Sequence, residues 1–152
     1  MAEMHRVIVR VTGSQRDESG EQDTIRMMAE GRHYFRNGKH YVLYDEKDLT
    51  GEKGDKTSTV LKIGPESVTL LRQGAVVQRQ HFAEGEESKG DYQTPYGTLQ
   101  LSFHTDKLDI DYGTVAGTVD VGFALAVNGQ HRSDNTLHIE VTSAPEDKHK
   151  LN

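Results

Sequence analysis

Apolar residues recur at every second position almost from end to end of this chain, and no window of helical length holds a clean three-to-four residue apolar period. Leu99, Leu101 and Phe103 alternate with Gln100, Ser102 and His104, and Val119, Val121, Phe123, Leu125 and Val127 follow the same rule. Leu137, Ile139 and Val141 repeat it against His138, Glu140 and Thr142. A period of two is the mark of a half-buried strand, whose side chains point to opposite faces in turn. An open sheet leaves unpaired edges that invite aggregation, so a chain made of many such strands must close on itself or stack. The expectation is an all-β, antiparallel barrel of about eight to ten strands with little helix.

At 152 residues the chain has the length of one domain, 1–152, with its core over about 4–142 and a frayed polar tail at 143–152. It has no cysteine, which excludes disulfides, a thiol nucleophile and a thiolate metal site. The first residues run Met4-His5-Arg6 into Val7-Ile8-Val9 before Arg10, too short an apolar run for a secretory signal. No stretch is long and apolar enough for a transmembrane helix. The reading is a soluble, unexported, cytoplasmic protein. Net charge is −6, so a nucleic acid would need a local basic patch working against the global field, and it is disfavoured as a partner.

Turn signals divide the chain. Val7–Thr12 reads as a strand and the polar run 13–23 as a loop. Thr24–Glu30 is a strand with Ile25, Met27 and Ala29 on one face, and Gly31 bends the chain into Arg32–Arg36. Asn37-Gly38 is a hairpin signal, because a type I′ turn needs positive φ at both central positions. Lys39–Asp45 returns, and 46–56 reads as an exposed loop. Thr57–Ile63 and Ser67–Gln73 form a hairpin across Gly64-Pro65, Gly74 turns into Val76–Phe82, and 83–91 is a loop or an edge. Tyr96–Thr105 and Leu108–Tyr112 are two further strands before the last pair.

Most chemical motifs fail on inspection. Gly51–Thr57 lacks the Gly-Lys-Thr order of a phosphate loop, and a strand rather than a helix follows it. Asp106, Asp109 and Asp111 fall on the wet face of a strand rather than around a cation. The eight histidines are scattered without metal-site spacing, His104 and His138 lie on polar faces, and no Gly-x-Ser-x-Gly elbow is present. Nothing implies a cofactor or a metal. Two constellations remain. Arg32, Tyr34 and Arg36 face Lys39 and Tyr41 across the Asn-Gly turn, interleaving bases with aromatics as single-strand nucleic-acid platforms do. The competing and favoured reading sends those aromatics into the core and leaves the cations to guard an edge. Arg72 shares a strand face with Val68 and Leu70, so it must snorkel, meet an internal carboxylate or bind an anionic ligand.

Four segments, in order and spacing, carry a family likeness: Tyr41-Val42-Leu43-Tyr44-Asp45-Glu46, Thr59-Val60-Leu61-Lys62-Ile63, Val68-Thr69-Leu70-Leu71-Arg72-Gln73-Gly74-Ala75-Val76 and Tyr92-Gln93-Thr94-Pro95-Tyr96-Gly97. With them the chain resembles the YwiB-like bacterial proteins, a domain family of unknown function, from the first strand to Val141. The resemblance implies a calycin or lipocalin-like barrel and no activity. The functional expectation is a non-catalytic binder of a small amphipathic or anionic molecule, with Arg72 as anion partner and Tyr44, Tyr92 and Tyr96 as walls or hydroxyl donors near the mouth. An RNA-associated module using residues 32–41, or an enzyme with an unrecognised site, are the alternatives.

Overall fold

The computed structural model describes residues 3–47, 49–50 and 53–145. Ten strands follow one another: β1 (His5–Asp17), β2 (Gln22–Arg36), β3 (Lys39–Lys47), β4 (Lys56–Ile63), β5 (Val68–Gly74), β6 (Val77–Phe82), β7 (Glu87–Thr94), β8 (Gly97–Tyr112), β9 (Gly117–Val127) and β10 (Gln130–Ser143). Each pairs antiparallel with its chain neighbours, and β10 closes on β1, so the sheet is a closed meander barrel without helix among the described residues. Closure removes the sheet edges that the alternating pattern would otherwise expose.

The turns follow the backbone freedom that the sequence supplies. Asn37 and Gly38 take φ of 52° and 76°, and Asn128 and Gly129 repeat the device with 50° and 84° between β9 and β10. Thr94, Pro95, Tyr96 and Gly97 form the β7–β8 turn, where the Thr94 hydroxyl accepts from the Tyr96 amide and donates to the Gly97 carbonyl. Proline sits outside the ladder there, since it lacks a donor.

The inward rows make the core: Val7 and Val9 of β1, Val42 of β3, Leu61 and Ile63 of β4, Val68 of β5, Leu101 and Phe103 of β8, Val119 and Val121 of β9, and Ile139 and Val141 of β10. Phe82, Phe103 and Phe123 pack at tilted and edge-on angles with ring centres 5.0–5.9 Å apart. Leu99 departs from expectation. It keeps the inward parity of Leu101 and Phe103 but is 44% exposed, because β8 begins at the barrel rim. Ile25, in register with Gly13 near the tip of the β1–β2 hairpin, is exposed for the same reason.

Several segments read as loops are strands. The polar run 13–23 continues β1 and β2, leaving only a tight turn at 18–21. Asp17 holds that turn by accepting from the Ser19 amide, the Ser19 hydroxyl and the Glu21 amide. Residues 46–47 and Lys56 extend β3 and β4, and 87–91 belong to β7. Ladder hydrogen bonds, rather than apolar alternation, define strands where both faces are wet. Tyr96–Thr105 and Leu108–Tyr112 are one strand, β8, interrupted by a bulge that leaves Asp106 unopposed between Thr105 and Lys107. Of the tail expected to fray, Ser143 is still paired with Val7 and the Ala144 amide bonds to the Arg6 carbonyl, while residues 146–152 lie outside the described residues.

Two seams position the interior sites. β2 pairs with β3 only from Gly31 to Arg36, and β6 pairs with β7 only at Val77 and Gln78. At Gly31 the two strands pass so closely that an added Cβ would lie 2.6 Å from the Leu43 carbonyl oxygen. Beyond that point β2 and β3 diverge.

Candidate functional site

The divergence of β2 from β3 opens a cavity of about 830 Å³. Its rim is residues 25–30 of β2 against Tyr44–Lys47 of β3, and its depth is walled by Val11, Leu70, Phe123, Leu137 and Ile139. A volume of this size suits a small-molecule ligand, and the mixture of apolar walls with a few convergent polar groups is the usual composition of such sites.

The polar groups come from one register row. Gly31, Tyr44, Thr59, Arg72, Gln78, Tyr92 and Leu99 stand side by side across seven strands, all with inward parity. Glu46, one inward position further along β3, completes the cluster. Arg72 Nε donates to Glu46 Oε1 at 3.0 Å and Nη2 to Oε2 at 3.3 Å, while Nη1 donates to Gln78 Oε1 at 2.7 Å. The Thr59 hydroxyl donates to Glu46 Oε1 at 2.7 Å. Arg72 therefore has the internal carboxylate, and its charge is already neutralised. Of the five N–H groups on a guanidinium, three are used by partners among the described residues.

Tyr44 lines the same cavity and is only 6% exposed. Burial holds its hydroxyl in the neutral form, with Glu46 pushing in the same direction and Arg72 against it. Among the described residues that hydroxyl has no hydrogen-bond partner. A buried neutral phenol facing a cavity beside a guanidinium with spare donors is a recognition geometry: it offers hydrogen bonds without net charge.

The four expected ligand residues thus separate. Arg72 and Tyr44 line the cavity, Tyr92 shares their row from β7 but not the cavity wall, and Tyr96 is 71% exposed at the β7–β8 turn, away from both. Glu46 escapes the sequence reading because 46–56 reads as loop, although His40, Val42 and Tyr44 already set the alternation whose next member is Glu46. Thr59 and Gln78 lie in strands that the sequence does show, but as uncharged polar residues they give no signal of their own.

A second polar cluster plugs the opposite end. His33, buried, shares a 2.9 Å hydrogen bond between its Nε2 and His40 Nδ1, stacks on Tyr112 at 5.9 Å, and lies 5.8 Å from the His5 ring. Burial first, then the neighbouring His40 and His5, depresses the His33 pKa to about 4. Its Nδ1 is buried and unpartnered. No group of three His, Asp or Glu side chains among the described residues is arranged to hold a metal ion.

The basic hairpin is placed outside. Tyr34 and Tyr41 are registered neighbours on the outer wall, so the expectation that the hairpin's aromatics enter the core fails for both. His33 and His40, at the alternate positions, take the inward places.

Residues 9–139 match the family described as a domain of unknown function, DUF1934. The chain belongs to this family. Among curated proteins it is 25% identical over 123 residues to the "Uncharacterized beta-barrel protein YwiB" of Bacillus subtilis, covering 81% of this chain and 84% of that one. The crystal structure of the ywiB protein from Bacillus subtilis superposes with a TM-score of 0.83 at 21% identity, covering 95% of this chain and 96% of the other. The shared property is the barrel.

Proposed function

We propose that this DUF1934 barrel is a non-catalytic, cytoplasmic binder of a small amphipathic molecule, held in the cavity between β2 and β3 in the manner of a lipocalin-like barrel. The observation that carries the reading is the cavity itself, where the buried Tyr44 side chain and the Glu46-paired Arg72 meet apolar walls. The apolar part of the ligand lies against Leu70, Phe123 and Leu137. Its polar group accepts from Tyr44 and from Arg72 N–H groups without a partner among the described residues. Because Glu46 already neutralises Arg72, a neutral acceptor such as a carbonyl or amide suits the site better than a full anion, which would face the Glu46 carboxylate as well.

The test is a thermal-shift screen of a metabolite library against wild type and Ala29→Phe. Ala29 lines the cavity, and a ring there fills it from the β2 side. At 100 times its Kd a ligand adds about 2.7 kcal/mol of stability. The expected result is a ligand-dependent rise in Tm in wild type that disappears in Ala29→Phe. A shift that is equal in the two proteins, or none across the library, defeats the proposal.

A further inference from the structure

The outer wall over β2, β3 and β4 carries a surface that the cavity does not use. Tyr34 and Tyr41 stack across the β2–β3 pair with ring centres 4.7 Å apart and planes 4° from parallel. Lys62, in register with Tyr41 on β4, places Nζ 5.9 Å from the Tyr41 ring centre. The adjacent outer row runs Arg32, Leu43, Val60, so a partly exposed apolar strip lies beside the tyrosines. Arg36 and Lys39 close the hairpin end.

The charges here are uncompensated. Among the described residues Arg32, Arg36, Lys39 and Lys62 have no carboxylate within ion-pair distance, while the nearby acids Glu30 and Asp45 are taken by Arg6 and Lys56. On the far side of the barrel the outward positions of β8 and β9 include Asp109, Asp111 and Asp120, of which Asp109 and Asp120 are paired with Lys107 and His138. The net charge of −6 thus coexists with four cations gathered on one wall without ion-pair partners among the described residues.

We propose that the β2–β4 outer wall binds single-stranded nucleic acid. Four unpaired cations around a stacked aromatic pair and an apolar strip supply both halves of such a site: phosphate contacts for affinity, and flat apolar surface for unpaired bases. A duplex keeps its bases stacked inside and offers nothing to the rings. Because phosphate contacts carry the affinity, binding is steeply salt-dependent.

The experiment is fluorescence anisotropy of the full chain with fluorescein-labelled oligothymidine and oligouridine of about 12 nucleotides, across a salt series starting at about 50 mM. The triple variant Arg32→Gln, Arg36→Gln, Lys39→Gln is expected to weaken binding at least tenfold and to flatten the slope of log K against log salt by about 2, since each phosphate contact on a single strand contributes about 0.7. Tyr34→Ala with Tyr41→Ala weakens binding by roughly tenfold without changing the slope, and Tyr34→Phe with Tyr41→Phe restores it. Lys107→Gln on the far wall leaves it unchanged. Circular dichroism melts confirm that each variant is folded. The proposal is overturned if wild type gives no anisotropy change at the lowest salt, if the triple variant binds as wild type does, or if duplex DNA or polyphosphate competes as well as the single strand.

Discussion

Arg72 occupies an inward position because its charge is met on three nitrogens by Glu46 and Gln78, and Glu46 is in turn held by Thr59. Removing one member of such a pair strands the other. Arg72→Met keeps the aliphatic volume but leaves Glu46, 7% exposed, without its cation, and should cost about 3–5 kcal/mol. Adding Glu46→Leu to Arg72→Met should recover most of that loss, because two apolar side chains replace the pair. Urea melts of the two singles and the double measure the coupling, and additive losses would show that the pair does not act as a unit. Tyr44→Phe has a different signature. It deletes a hydroxyl that faces the cavity and makes no protein hydrogen bond among the described residues, so the fold should keep its stability while any ligand identified by thermal shift loses affinity.

At the scale of elements, Gly31 controls the seam. Its Cα lies where β2 and β3 almost touch, and Gly31→Ala would press a methyl group onto the Leu43 carbonyl and the Tyr44 Cβ. The expected cost is about 1–3 kcal/mol, with the β2–β3 ladder the first to open in hydrogen exchange. Protection of the Arg32–Arg36 amides unchanged by the substitution would contradict this. The strands were legible wherever one face is dry: β4, β5, β6 and β9 follow the alternation of Leu61, Leu70, Phe82 and Val121 closely. They were illegible where both faces are wet, as at the β1–β2 tip, where Ser14 and Thr24 bond to each other over polar residues. The candidate site divides the same way. Arg72 stood out by breaking the apolar face of β5, whereas its partner Glu46 was hidden by ending β3 two residues early, at Asp45 instead of Lys47. That the tyrosines of the basic hairpin turn outward depends on whether His33 or Tyr34 takes the inward parity, and a stretch aromatic on both faces does not decide it.

For the molecule as a whole, the His33 plug sets how stability depends on pH. His33 is neutral in the fold down to about pH 4, held there chiefly by burial against Tyr112 and also by His40 and His5, whereas in the unfolded chain it titrates near 6.5. Between those values the unfolded state binds a proton that the folded state refuses. Stability is therefore fully present above pH 6.5 and falls as pH drops through the window from 6.5 to 4, by up to about 1.4 kcal/mol per unit and roughly 3 kcal/mol in all. His40, whose pKa burial also depresses, adds to the slope in the same direction. Asp17, with its carboxyl held below the ordinary value chiefly by the Ser19 hydroxyl, acts only at the acidic end below this range. Urea melts from pH 7.5 to 4.5 measure the dependence directly. His33→Gln keeps a polar group in the plug but removes the titration, and it should take close to one proton from the slope in this window. A variant slope as steep as that of wild type would mean that the barrel loses stability in acid through other groups, and that the His33 cluster is packing alone.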